Sequence, residues 1–285
     1  MMRDDIAPFA LWLRHAVLGG VALALSACSG LPTPAMRTAI AESEVNRAHW
    51  HARVVESQDY RLWSAGPVPS KVGTHNVLTI MIEGDGLSWL NQHMPSLDPT
   101  PIDAEGLRLA LTMPESVVYL ARPCQFVMSD ACTQRDWTEA RYHPRLVAVM
   151  DAAIDQLKAQ YGGKQVVLAG YSGGGVMAAL IAARRADVTE LVTIAANLDT
   201  AAWTKHHGLA PLTGSLNPAD DWASLATIPQ RHYVGADDTT VPPSIAHAYA
   251  ARFPSNAKPE IIIIPGRGHG GWHWPSHRDE SYLND

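Results

Sequence analysis

The chain has 285 residues, of which 47% are hydrophobic and 18% charged, values that are ordinary for a globular protein. Its formal net charge of −6 and the lack of any run of lysines and arginines argue against a nucleic-acid-binding surface. The length is within reach of one large α/β domain.

The first residues of the chain have the pattern of an export signal. Basic residues precede an apolar run over residues 16–27, which is too short to span a bilayer comfortably and suits the core of a signal peptide. The run ends in Leu25-Ser-Ala-Cys28, which resembles the lipobox of bacterial lipoproteins. The resemblance implies removal of residues 1–27 and lipidation of Cys28, and Ser29 after it implies the outer membrane, facing the periplasm. An ordinary secretory signal and a buried N-terminal helix are the alternatives.

Residues 28–50 are expected to join this signal to a globular domain over residues 51–285. Pro32 and Pro34 indicate a tether. The charged stretch over residues 37–53 is expected to be a loose or helical lead-in to the first strand.

Beyond the lead-in, apolar runs alternate with amphipathic stretches. Within residues 144–161 the apolar side chains recur at i, i+3 and i+4, which predicts a helix with one buried face. Strands that alternate with helices predict an α/β fold with a mostly parallel sheet and helices on both faces. The predicted strands are Tyr60–Trp63, Val77–Ile82, Val117–Ala121, Val166–Ala169, Leu191–Ala195, His232–Val234 and Ile261–Ile264, and the predicted helices are Pro144–Tyr161, Gly174–Arg185 and Ser244–Arg252.

The most informative segment is Gly170-Tyr-Ser172-Gly-Gly174, which lies between an apolar strand and a helix of small residues. A serine on such a turn projects its hydroxyl away from the sheet, and the glycines permit strained backbone dihedrals. The helix behind it points free N–H groups at any negative charge that forms there. The pattern Gly-x-Ser-x-Gly also occurs in glycine-rich turns that have no catalytic role. Whether Ser172 is catalytic therefore depends on which residues follow later in the chain.

Two later segments hold the residue types that activate a serine. Gly235–Pro242 contains Asp237 and Asp238, and Gly266–Gly271 contains His269; each follows a predicted strand. Open α/β sheets place their chemistry at the carboxyl ends of the strands. Serine, aspartate and histidine therefore occur in the order and context of a catalytic triad.

In these motifs the chain resembles the α/β-hydrolase superfamily, over roughly residues 50–275. The resemblance implies that fold, with Ser172 as nucleophile, His269 as general base and Asp238 as the acid; Asp237 is the adjacent alternative. The residue types fit, because a serine hydroxyl is a poor nucleophile until an imidazole takes its proton. The carboxylate fixes the imidazole tautomer and stabilises the imidazolium.

The family also uses backbone N–H groups to hold the developing oxyanion. By resemblance one donor is Gly173, and the second lies in the loop Glu83–Gly86, with Asp85 favoured and Gly84 as the alternative. Many relatives have His-Gly where this chain has Glu83-Gly84. Because carboxylates repel an oxyanion, we expect the side chains of Glu83 and Asp85 to turn away and pin the loop by hydrogen bonds. A plain glycine-rich turn is the alternative.

Residues 197–226 break the alternation of strands and helices. We expect a small cap there, with a long surface connection as the alternative. Tyr171 and Trp203 are predicted to contact the substrate. Arg122 is expected to form a salt bridge that holds the loop 123–132, or else to reach the edge of the site.

The cysteines predict a disulfide, and the histidines do not indicate a metal site. With Cys28 lipidated, Cys124 and Cys132 remain, and an even number in an exported protein predicts a disulfide; two free thiols are the alternative. His269, His273 and His277 are regularly spaced, but the intervening glycines and proline argue against a metal-binding helix. No metal and no cofactor is predicted.

The sequence therefore favours a serine hydrolase that cleaves a carboxylic ester or related acyl compound through an acyl-enzyme intermediate. A peptidase, thioesterase or lipase of the same fold is the alternative among enzymes, since fold does not fix substrate. A lipid-anchored binding protein with a degenerate hydrolase fold is the alternative outside them. The expected partners are a small acyl substrate and, through the lipid anchor, a membrane, with no nucleic acid.

Overall fold

A computed structural model describes residues 30–69, 76–113 and 116–274 of the chain. The chain divides into two compact units, Met1–Pro32 and Thr33–Asp285. Only residues 30–32 of the first unit are described, so the predicted signal peptide and Cys28 lie outside the described residues, as does His277. None of the helices in the described ranges is long and apolar enough to cross a membrane.

The second unit alternates helices and strands along most of its length. Its elements in the described ranges are α1 (Pro34–Arg47), β1 (His51–Ser57), β2 (Tyr60–Gly66), β3 (Val77–Ile82), β4 (Trp89–Asn91), β5 (Met94–Pro95), α2 (Glu105–Thr112), β6 (Val117–Leu120), α3 (Pro144–Tyr161), β7 (Gln165–Tyr171), α4 (Gly173–Ala182), β8 (Val188–Ile194), α5 (Thr200–His206), α6 (Trp222–Leu225), β9 (Gln230–Gly235), α7 (Pro243–Ala250) and β10 (Glu260–Ile264). Short 3₁₀ helices cover Gln134–Trp137, Pro218–Asp221 and Ser255–Ala257.

Eight strands form one sheet in the order β1-β2-β6-β3-β7-β8-β9-β10. The pairs from β6 to β10 are all parallel, while β1 and β2 add an antiparallel edge. The predicted mostly parallel sheet is confirmed, and all seven predicted strands are present. The strand Val77–Ile82 has its predicted ends, and the other six differ at one or both ends by one to three residues. The sequence did not predict β1 or the separate hairpin of β4 and β5.

The middle strand β3 shows how the sheet divides the core. Leu78, Ile80 and Ile82 belong to one apolar core and Met81 to the other, which is the period-two alternation of a strand. Buried side chains of α3 and α4 complete the first core, and those of α1 and α2 complete the second. Helices therefore cover both faces of the sheet, as predicted.

Helix α1 occupies most of the segment that the sequence assigns to a tether and lead-in. Thr33 caps it, with Oγ1 accepting a hydrogen bond from a first-turn N–H at 3.2 Å, and Pro34 pre-sets the first helical φ. Arg37, Ala41 and Val45 are buried on one side of the helix. The lead-in is thus helical and packed, because an apolar stripe follows a well-capped start.

The disulfide predicted between Cys124 and Cys132 is present, with the two Cα atoms 5.9 Å apart. It closes the loop that follows β6. A cross-link over so short a loop stabilises the fold by about 2–3 kcal/mol, mainly by constraining the unfolded chain.

Candidate active site

The turn between β7 and α4 holds Ser172 in an unusual backbone conformation. Its φ of 49° and ψ of −122° lie where residues with a side chain are rarely found. The Ser172 N–H donates to the carbonyl of Ile194 at 2.8 Å, which fixes the turn to β8. The hydroxyl is therefore presented at the N-terminus of α4, as the sequence motif predicts.

Two glycines make this turn sterically feasible. A Cβ on Gly170 would lie 2.4 Å from the backbone of Gly174, and a Cβ on Gly174 would lie 2.3 Å from the carbonyl oxygen of Ile82. Both distances are far below van der Waals contact, and backbone atoms cannot swing aside as a flexible side chain can. The motif needs glycine here because helix α4 starts directly against β3 and β7.

The structure brings together Ser172, His269 and Asp238, which lie beyond the ends of β7, β10 and β9. The Nε2 of His269 is 3.1 Å from the Oγ of Ser172, and its Nδ1 is 2.8 Å from the Oδ2 of Asp238. The other oxygen of Asp238 accepts the N–H groups of Thr240 and Val241, both at 2.8 Å. This carboxylate is thus buried and fixed, with one oxygen left for the imidazole.

Asp237, the alternative acid, is placed differently. It is exposed, and its N–H donates to the carbonyl of Arg267 at 3.0 Å. Asp238 is the acid that contacts His269.

The loop that carries His269 is held by side chains around its carbonyl oxygen. This oxygen accepts the hydroxyl of Tyr171 at 3.0 Å and the indole N–H of Trp272 at 2.8 Å. The backbone N–H of Trp272 in turn donates to Glu105 at the start of α2. The sequence gives no signal for Glu105, because its partner lies far along the chain and no motif contains it.

The loop after β3 is pinned first by Glu83. Its carboxylate accepts the N–H groups of Gly84, Gly106 and Leu107 at 2.8–3.2 Å and the hydroxyl of Tyr119 at 2.9 Å. Burial raises the pKa of Glu83, and the four donors oppose that shift. Since the Gly84 N–H is already bonded, it is not free to hold an oxyanion.

Asp85 pins the same loop through two cations. Its carboxylate pairs with the guanidinium groups of Arg122 and Arg141 and lies 3.3 Å from the hydroxyl of Tyr142. Burial acts to raise the pKa of Asp85, but the two arginines outweigh it and the pKa lies below its ordinary value. The carboxylate is therefore charged and internally neutralised, as expected of side chains that pin the loop.

The structure corrects the expected role of Arg122. Its guanidinium pairs with Asp85 and donates to the carbonyl of Arg141 at 2.6 Å, so it holds the loop after β3. Its hydrogen bonds with the loop 123–132 are made by its backbone: the N–H donates to the side-chain oxygen of Gln125 at 3.0 Å, and the carbonyl accepts the N–H of Gln125 at 3.2 Å. The reason is topological: β6 and β3 are parallel neighbours, so the residues after them meet at one edge of the sheet. The sequence gives no signal for Arg141, which belongs to no motif.

The backbone N–H groups of Gly173 and Asp85, the two predicted oxyanion donors, have no acceptor in the described part of the chain. The two residues are in close contact, since a Cβ on Gly173 would lie 2.1 Å from the Oδ1 of Asp85. Gly173 directly follows the serine and Asp85 lines the same cavity as Ser172, so both predicted oxyanion donors lie near the serine.

A cavity of about 430 Å³ lies over the serine. Ser172, His269 and Asp85 line it, together with Tyr171 and Trp203, the two residues predicted to contact a substrate. Trp203 belongs to α5, within the segment 197–226 predicted as a small cap. No group of three or more His, Cys, Asp or Glu side chains in residues 30–69, 76–113 and 116–274 is arranged to hold a metal ion.

Comparisons with known proteins address the fold. No protein-family model and no curated protein matches the sequence. Solved structures do match, among them a putative lipase from Acinetobacter baumannii, with a TM-score of 0.55 and 14% identity, covering 85% of this chain and 92% of the other. The chain has the α/β-hydrolase fold.

Two further structures with the α/β-hydrolase fold agree. An esterase from Pyrococcus furiosus has a TM-score of 0.54 and 14% identity, covering 79% of this chain and 86% of the other. An α/β serine hydrolase without a lid from Xanthomonas campestris has a TM-score of 0.50 and 15% identity, covering 78% and 86%. The fold predicted from the motifs is confirmed, while the chemistry of this α/β-hydrolase fold has to be argued from its own residues.

Proposed function

We propose that the protein is a serine hydrolase that cleaves carboxylic esters through an acyl-enzyme intermediate. One observation carries the proposal: an unbroken chain of hydrogen bonds from Ser172 through His269 to the buried Asp238. A serine, a base and an orienting carboxylate in this order are what nucleophilic catalysis at a carbonyl needs.

The geometry supports the following steps. His269 takes the proton of the Ser172 hydroxyl as its oxygen attacks the ester carbonyl, and Asp238 stabilises the imidazolium that forms. The imidazolium then gives its proton to the leaving alcohol, which departs and leaves the acyl group on Ser172. A water molecule, activated by His269 in the same way, attacks the acyl-enzyme and releases the acid.

The oxyanion that forms in each attack is held by the N–H groups of Gly173 and Asp85. The Asp85 carboxylate does not oppose it, because Arg122 and Arg141 neutralise that charge and leave the three groups with a formal sum of +1. A preorganised donor of this kind contributes a factor of about 10²–10³ to kcat.

Esters are favoured as substrates by the surroundings of the serine. Leu87, Ile102 and Val241 give its cavity apolar walls, which suit an acyl or alkyl group. The solved structures that resemble this chain include an esterase and a putative lipase, which supports the same bond type.

The test is steady-state kinetics on p-nitrophenyl butanoate and on a matched aminoacyl anilide. We expect hydrolysis of the ester, and a loss of about 10⁴-fold or more in kcat for Ser172→Ala with an unchanged thermal melt. Ser224→Ala is the matched control, because Ser224 is exposed, does not line the cavity and does not belong to the triad. Ester hydrolysis that persists in Ser172→Ala, or a clear preference for the anilide, would overturn the proposal.

We also propose that the protein is exported and anchored in the cell envelope by a lipid on Cys28. The lipobox-like Leu25-Ser-Ala-Cys28 supports this, and the Cys124–Cys132 disulfide fits an oxidising compartment. In a diderm bacterium, metabolic labelling with radioactive palmitate should mark the wild-type chain and not Cys28→Ser. Equal labelling of both, or none of either, would reject the anchor.

A further inference from the structure

A second cavity, of about 400 Å³, lies beside the one over the serine. The two cavities have three lining residues in common, Trp89, Arg141 and Trp203. The two cavities are therefore adjacent, and these three side chains form the junction between them. Most of the second cavity's other walls are apolar, and they are formed by Leu209, Ala210, Pro211 and Leu212, with Asn91, Gln92 and Glu139 as polar members.

Trp203, one of the three side chains at the junction, is fixed by its contacts. The indole N–H of Trp203 donates to the carbonyl of Thr240 at 2.7 Å, and the ring packs edge-on against His207 at 5.2 Å. His207 also contacts the Thr240 carbonyl, at 2.9 Å. Because Trp203 is held on two sides, this wall of the cavity is already in place before a ligand binds. Binding therefore does not carry the entropic cost of ordering the Trp203 side chain.

Arg141 places one polar group at this junction. Its side chain is 8% exposed, with Nη1 bound to Asp85 and Nε donating to the carbonyl of Thr138 at 2.7 Å. Its Nη2 has no acceptor among the described residues. Because this nitrogen is not one of the buried atoms that lack a partner, it is accessible at the cavity wall and free to donate to an oxygen of a ligand at the junction.

We propose that the second cavity binds an alkyl arm of the ester substrate, with Arg141 donating to an oxygen atom where the arm leaves the reacting group. This inference rests on the proposed esterase function and deepens it. The substrate class is an amphiphilic ester with a medium-length alkyl chain, rather than a small ester such as an acetate. Apolar walls beyond a single polar contact are the recognition pattern such a molecule requires.

The test fills the second cavity and leaves the first one open. Ala210 lines only the second cavity and is exposed, so Ala210→Trp adds bulk there with little risk to folding. Ala251→Trp is the matched control, at an exposed position outside both cavities. Wild type and both variants are assayed on p-nitrophenyl acetate, butanoate and octanoate, and on ethyl, butyl and octyl acetate by pH-stat.

In wild type, kcat/KM should rise roughly three- to fourfold for each added methylene until the cavity is filled. Ala210→Trp should lose at least about tenfold on the longest ester of one series and stay within about twofold on the shortest. The series that responds shows whether the arm belongs to the acid or to the alcohol, and either result supports the subsite. Ala251→Trp should match wild type throughout.

The proposal is overturned if wild type hydrolyses short and long esters equally, or if Ala210→Trp leaves every ratio of long to short ester unchanged. In both cases Ser172-dependent hydrolysis of short esters would continue, and the esterase function would stand. An enzyme that hydrolyses no ester of either series would instead overturn the esterase function and the subsite with it.

Discussion

The pairing of Asp85 with Arg122 and Arg141 makes a strong prediction for Asp85→Asn. The substitution keeps the size of the side chain but removes its charge, and it leaves two guanidinium groups that are 4% and 8% exposed without their counter-ion. An amide N–H₂ directed at either arginine adds a donor where an acceptor is needed. The loop after β3 then loses the contacts that hold its free N–H group beside Gly173.

The magnitude follows from the burial of the arginines. Removing one partner of a buried ion pair costs about 3–5 kcal/mol of unfolding free energy. For a domain of this size that corresponds to a fall in Tm of about 6–20 °C. Because the proposed second oxyanion donor, the N–H of Asp85, would be displaced, kcat should fall by about 10²-fold or more, with a much smaller change in KM.

The assay combines thermal unfolding with kinetics on p-nitrophenyl butanoate at a temperature where the variant is folded. Asp187→Asn is the matched control, because Asp187 also pairs with two cations, Lys158 and Arg185, but lines neither cavity. Arg185 keeps Asp151 and Asp155 as counter-ions when Asp187 is neutralised. The control variant should lose less stability and keep its kcat. An Asp85→Asn enzyme with the kcat and Tm of wild type would refute the assigned role of the ion pairs.

Two further predictions concern the turn between β7 and α4 and the buried His232. Gly174→Ala should prevent folding or lower Tm by tens of degrees, because its Cβ would lie 2.3 Å from the carbonyl oxygen of Ile82; a variant that melts like wild type contradicts this close packing. Burial lowers the pKa of His232 from 6.5 to about 3. Below pH 6.5 the unfolded chain therefore binds a proton that the folded chain does not, and this residue makes the free energy of unfolding fall by about 1.4 kcal/mol per pH unit toward pH 3. Urea titrations should show wild type losing about 2 kcal/mol more than His232→Gln between pH 7 and pH 5; equal losses would contradict the assigned pKa.

The sequence predicted what depends on local pattern. The strand–turn–helix around Ser172 was recognisable because glycine, serine and flanking periodicity lie within a few residues. The long helix α3 was predicted with its observed ends, since its apolar residues repeat regularly between Pro144 and Gly162. The fold class followed because strands and helices alternate through most of the chain.

What the sequence did not predict depends on distant partners or weak patterns. In strand β1 only the side chains of Val55 and Ser57 are buried. The strand therefore lacks the run of apolar residues by which the other strands were predicted. The contacts of Asp85 with Arg122 and Arg141 join residues far apart in the chain, and only the order of strands in the sheet brings them together. The second cavity could not be predicted for the same reason, because its lining residues come from four separate segments of the chain, between residues 89 and 212.

We propose that Ser172 is the residue that becomes acylated, and a fluorophosphonate probe, which reacts with activated serines, can establish this. The protein is incubated with the probe, weighed intact by mass spectrometry and then digested for peptide mapping. We predict one adduct per chain, located on Ser172, absent from Ser172→Ala and formed far more slowly in His269→Ala. A well-folded protein that takes up no probe, or one whose adduct lies on another residue and persists in Ser172→Ala, would contradict the account.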